Sequence, residues 1–94
     1  MAPWNYPFQL SLSPLLAAIA AGNTVVLKPS ELASQSERLI SEIVEKVFAG
    51  QGAVVVTGGV EVAKGLLGQK FDFIFFTGST AVGREVAEIA GRTL

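Results

Sequence analysis

Phe71-Asp72-Phe73-Ile74-Phe75-Phe76-Thr77-Gly78-Ser79-Thr80-Ala81-Val82-Gly83 is the stretch whose reading decides the fold. Its first six residues set Phe71, Phe73 and Phe75 against Asp72, Ile74 and Phe76. Both faces are apolar apart from Asp72, as in a strand covered on both sides. Past Gly78 the period changes. From Thr80 to Leu94, Val82, Val86, Ile89 and Ala90 form one stripe, and Arg84, Glu85, Glu88 and Arg92 lie off it, so a strand runs directly into an amphipathic helix. The same succession occurs twice upstream. Ala53 to Thr57 is a continuous apolar run closed by Gly58 and Gly59, and a short helix around Val60 to Leu67 follows. Asn23 to Lys28 is a β-branched run between Gly22 and Pro29, which reads as a buried strand. After it, Ser34 and Glu37 have the spacing of a capping box. Leu39, Ile40, Ile43, Val44, Val47 and Phe48 then make one helix face, with Arg38, Glu42, Glu45 and Lys46 turned outward and a stop near Gly50.

Strand and helix alternating three times predict an α/β fold, Rossmann-like and three-layered (α/β/α), with a parallel sheet of about three strands and right-handed crossovers. A helical stretch, roughly Phe8 to Ala21, precedes the first strand. Pro7 suits its first turn, and Pro14 either starts a fresh helix capped by Ser13 or kinks a longer one. With no internal repeat, low-complexity tract or linker, the 94 residues read as one domain or a piece of one.

Composition excludes much chemistry. Without cysteine or histidine there is no disulfide, thiol nucleophile, imidazole acid or base, or thiolate or imidazole metal site. Seven basic against eight acidic side chains give a net charge of -1, so nothing draws the whole chain to nucleic acid. Residues 1 to 27 carry no charge, yet Ser11, Ser13, Pro14, Asn23 and Thr24 interrupt them, and neither a membrane span nor a secretory signal is expected. A cytoplasmic chain is the reading. Half the residues are apolar and only 16% are charged, sparse cover for so small a body. Self-association is therefore expected, most simply a two-fold dimer that pairs sheet edges or packs Leu10 to Ala21 against its copy.

Three segments can carry chemistry. At Thr77-Gly78-Ser79-Thr80 the amides of a helix start favour an anion, Ser79 Oγ adds a donor, and Gly78 permits close approach of a phosphate. The alternative is an ordinary serine N-cap, because the three-glycine dinucleotide pattern and the P-loop lysine are absent. Lys28-Pro29-Ser30-Glu31 ends the first strand, where open α/β sheets place ligands, and a carboxylate there suits paired ribose hydroxyls. A solvated turn with a weak ion pair is the alternative. Pro3-Trp4-Asn5-Tyr6-Pro7 reads as a rigid, largely extended segment carrying an amide donor at Asn5, of the kind that stabilises an oxyanion or merely anchors a loop.

Taken in order, these segments resemble the aldehyde dehydrogenase superfamily. The resemblance rests on Pro-Trp-Asn at 3 to 5, Ala-Ala-Gly-Asn-Thr-Val-Val-Leu-Lys-Pro-Ser-Glu at 20 to 31, Thr-Gly-Gly at 57 to 59 and Phe-Thr-Gly-Ser-Thr-Ala-Val-Gly at 76 to 83. Asn-Tyr-Pro-Phe-Gln-Leu is similar to the class three branch, whose members oxidise aromatic and longer aliphatic aldehydes with NAD or NADP. The resemblance implies that Asn5 holds the developing oxyanion and Tyr6 lies near the substrate pocket. It further implies that Lys28 and Glu31 hold the adenosine ribose, Ser79 with Gly78 contacts the pyrophosphate, Thr77 approaches the nicotinamide end, and Val60 and Val82 flank the adenine. Glu31 disfavours a 2′-phosphate and Lys28 accepts one, which leaves NAD against NADP open. The family's catalytic cysteine is absent, its Glu-Leu-Gly-Gly base segment would follow Leu94, and Glu85 and Glu88 do not take that role by default. The chain thus resembles part of a coenzyme-binding domain, inactive alone, with the aldehyde a substrate only of the full-length parent. A stand-alone nucleotide-binding module and an association unit with idle motifs are the other readings.

Overall fold

The computed structural model describes residues 1–93. Their order is α1 (Pro7–Ala20), β1 (Val25–Leu27), α2 (Ser34–Phe48), β2 (Ala53–Val55), α3 (Val60–Leu67) and α4 (Thr80–Thr93). The fold is α/β. Helix α1 begins on Pro7 and runs as one element through Pro14, so no fresh helix starts at Ser13. Helix α4 follows the predicted span to Thr93, and Leu94 lies outside the described residues.

β1 and β2 pair in parallel, Val25 opposite Ala53, Val26 opposite Val54 and Leu27 opposite Val55, with α2 as the crossover. The core forms where α1 and α2 cover one face of this pair. Leu15, Leu27, Ile40 and Val44 are buried together there, and Leu12, Ile19, Val25, Phe48, Ala53 and Val55 pack around them. The helical stripe read from the sequence thus delivers Ile40 and Val44 to the strands, while Leu39 and Val47 at its margins stay half exposed.

Three expectations are corrected. The sheet has two strands, not about three, because Phe71–Phe76 joins no ladder. A strand is defined by a neighbour's donors and acceptors, and among the described residues the hydrogen bond made to this segment from outside it comes from Met1, whose ammonium donates to the Phe75 carbonyl at 2.8 Å. Thr77 N–H returns a bond to the Met1 carbonyl at 3.2 Å, and Ala2 N–H reaches the Lys28 carbonyl at 3.0 Å. The chain start therefore stands between β1 and the phenylalanine segment, and Phe73 and Phe75 remain exposed. Burial of the strands is likewise one-sided. Val26 and Val54 face away from α1 and α2 and stay exposed, and α3 and α4 pack chiefly on each other through Leu67 and Val86 instead of forming a third layer on the strands. Finally, Ser34 does not cap α2. It is the first helical residue, Ala33 holds the cap position without a side-chain bond, and Glu37 turns its carboxylate to the Gly58 N–H at 3.5 Å.

Candidate functional site

The carboxyl end of β1, the start of α3, the end of the phenylalanine segment and the chain start converge on a cleft of about 660 Å3. Lys28, Glu31, Val60, Thr77, Gly78, Ser79, Val82 and Asn5 all line it. Of the residues singled out in the sequence, Tyr6 alone is not part of this lining; its side chain is exposed. Tyr6 instead starts α1 from a left-handed backbone, φ 49° and ψ 51°, and accepts Leu10 N–H at 3.0 Å. Proline at the next position disfavours the right-handed helical region for Tyr6, and the left-handed one that it adopts costs a residue with a Cβ about 1–2 kcal/mol. The Trp4–Tyr6 segment is consequently bent, not extended as expected.

Lys28 departs most from an ordinary turn. It is 5% exposed, and its Nζ donates to Pro29 O at 3.1 Å and to Glu31 Oε2 at 3.3 Å. An ammonium has three donors, so one is left for a ligand in the cleft. Glu31 is more open, and its carboxyl is held below the usual range first by its own backbone N–H, against an opposing effect of burial, with the Lys28 bond and charge lowering it further. Together they present an unspent N–H and a carboxylate oxygen side by side, a pairing suited to vicinal hydroxyls.

Ser79 is the true N-cap of α4. Its Oγ accepts Val82 N–H at 3.3 Å, and Ser79 O accepts Gly83 N–H at 2.9 Å. The capping reading and the anion-binding reading are compatible, since a hydroxyl that accepts from one amide can still donate its own proton. Gly78 is required for a reason the sequence did not disclose. A Cβ there would lie 2.5 Å from Cζ of Phe76, whose ring lies over Gly78 and comes within 3.5 Å of a Cβ placed on Gly83. The ring occupies the space on the side where a Cβ would stand.

Val60 and Val82 are exposed apolar surfaces on α3 and α4, on the wall formed by those helices. Asn5 is exposed, and its carboxamide makes no hydrogen bond among the described residues. Sequence reasoning missed Lys64 and Glu85, two further charges on the cleft wall. Lys64 sits on α3 and Glu85 on α4, each off the apolar stripe, where the pattern offers no signal that sets it apart from solvated neighbours. The cleft falls in the range of about 300–1,000 Å3 usual for small-molecule and cofactor sites.

The family model described as the aldehyde dehydrogenase family matches residues 1–94. Aldehyde dehydrogenase family 3 member A2 of Pongo abelii is 46% identical over 91 residues, 97% of this chain and 19% of that protein. The 4,4'-diaponeurosporen-aldehyde dehydrogenase of Staphylococcus aureus is 45% identical over 94 residues, the whole of this chain and 20% of that one. Among solved structures, the substrate-bound state of Staphylococcus aureus AldH superposes with a TM-score of 0.93 at 44% identity, over 98% of this chain and 20% of its own. The chain spans about a fifth of the length of these relatives.

Proposed function

This chain belongs to the aldehyde dehydrogenase family, and from that premise we propose that its cleft is part of an NAD- or NADP-binding site in a protein that oxidises aldehydes to carboxylic acids. The observation that carries the proposal is the gathering of the Lys28–Glu31 pair and the Ser79-capped start of α4 on one cleft. In this reading Lys28 and Glu31 hold the adenosine ribose through the free ammonium donor and the carboxylate. Ser79 and the amides of the first turn of α4 meet the pyrophosphate, where the helix dipole favours negative charge. Val60 and Val82 supply the apolar walls for the adenine, and Thr77 lies towards the nicotinamide end.

The dinucleotide, when bound, supplies the hydride acceptor. Asn5 presents a free amide that can donate to an oxyanion developing on the aldehyde carbon, and Tyr6 belongs to the outer substrate approach. Cysteine is absent from the chain, so covalent capture of the aldehyde has no thiolate here. The expected outcome is that the 94-residue chain alone forms no NADH from NAD and benzaldehyde or hexanal. Turnover above a no-protein control, with host enzymes removed, would show that these residues suffice and overturn the division of labour proposed. Self-association belongs to the same reading, since β2 has an unpaired outer edge and Val54 stands exposed beside it.

A further inference from the structure

Lys64 and Glu85 stand on the cleft wall without a part in holding the ribose or the pyrophosphate. Each belongs to a helix that turns one face to the cleft. On α3, Val60, Ala63 and Leu67 recur at helical spacing, and on α4 Val82 and Val86 do so. Leu67 and Val86 are buried where the two helices pack on each other, so the slot between the two faces has an apolar floor there. Lys64 lies at the margin of the α3 face and Glu85 at the margin of the α4 face. Among the described residues they are the only charges that these helices contribute to the lining.

The fold makes little use of either charge. Lys64 pairs with Glu61 at 3.8 Å, one turn back on its own helix, and with both side chains exposed such a contact is worth little. Glu85 makes no ion pair among the described residues. An ammonium and a carboxylate on neighbouring helices therefore place a donor and an acceptor at the rim of an apolar slot. Apolar walls with a few polar groups that fix orientation are the general build of a site for a flat heterocycle.

The edge of adenine farthest from its ribose carries an acceptor, N1, beside a donor, the N6 amino group. We propose that Lys64 donates to N1 and Glu85 accepts from N6, so that this chain selects adenine among purines by a pair of charges and not by apolar contact alone. The inference rests on the dinucleotide reading of the cleft and deepens it. Hypoxanthine has the same shape with both groups reversed, because its N1 carries a proton and its O6 accepts. Lys64 then faces a donor and Glu85 an acceptor, and two side chains held on different helices do not trade places. What rejects hypoxanthine is lost hydrogen bonding, not lost fit.

The test measures, by titration calorimetry, the affinity of a full-length protein carrying these residues for NAD and for nicotinamide hypoxanthine dinucleotide. NAD is expected to bind about tenfold more tightly, the loss of a charge-assisted hydrogen bond. In Glu85→Gln the carboxamide can turn its amino group to O6, and the ratio should fall towards one. In the double variant Lys64→Glu with Glu85→Lys, which keeps the net charge, the preference should reverse. Glu85→Gln changes neither size nor shape, so it carries the test if the double exchange does not fold. Equal affinity for the two dinucleotides in the unaltered protein, or a ratio that Glu85→Gln leaves unchanged, would overturn the recognition of the base while the dinucleotide site stands. Binding of neither dinucleotide would overturn the reading of the cleft and this inference with it.

Discussion

Lys28 is a buried ammonium whose two visible bonds go to Pro29 O and Glu31, and a charge in that position is tolerated only while it stays paired. Glu31 is therefore at once its counter-ion and, in the proposed reading, the carboxylate that meets the ribose. In a full-length protein carrying these residues, Glu31→Gln keeps an acceptor for Lys28 while removing the negative charge that a 2′-phosphate would meet. The ratio of kcat/KM for NADP over that for NAD is expected to rise severalfold, and an unchanged ratio would reduce Glu31 to part of a turn. The Lys-Pro-Ser-Glu spelling made the pair legible in the sequence. The burial of Lys28 was not legible, because it comes from Ala2 bonding to its carbonyl and from the chain start lying across it, contacts between residues 26 positions apart. The packing of the Phe76 ring against Gly78 was not legible, since periodicity does not reveal that the ring folds back over it.

Helices were read best, and the reason is their length. α3 was predicted over its observed Val60–Leu67 span, and α2 and α4 within a residue or two, because a 3.6-residue stripe over two or more turns averages out local exceptions. Caps were read less well. Ser34 and Glu37 satisfied a spacing rule, but Glu37 found Gly58 across the turn after β2, and Ser34 entered the helix as its first residue. Ser79, by contrast, bonds the Val82 amide. Replacing a capping serine by alanine costs about 1 kcal/mol, whereas a surface serine inside the first turn costs less than about 0.5 kcal/mol. In urea titrations Ser79→Ala is accordingly expected to lower stability clearly more than Ser34→Ala, and the reverse order would mean that the caps are misassigned. The strand at Phe71–Phe76 was the largest error. Its residues have strand character, but strand formation is decided by a neighbour, and composition cannot say whether one is present.

As a whole, the molecule is a two-stranded parallel pair with helices on one face, and a pair of helices packed on each other beside the cleft. Leu16, Leu39, Val47 and Val54 are left between 45% and 56% exposed, and β2 offers an open outer edge. Several hundred Å2 of apolar surface at about 25 cal/mol per Å2 amounts to roughly 10 kcal/mol, comparable to the full stability of a small domain. A dimer at micromolar concentration is therefore expected in light scattering across a dilution series, and a compact, cooperatively folding monomer would contradict that expectation. Dinucleotide binding in the cleft is read by amide NMR of the labelled 94-residue chain titrated with NAD. With only part of a dinucleotide site to offer, the chain is expected to bind with a dissociation constant on the order of millimolar, with the shifts concentrated at Lys28, Gly78, Ser79 and Val82. Shifts confined to other surfaces, with those four amides unmoved, would contradict it.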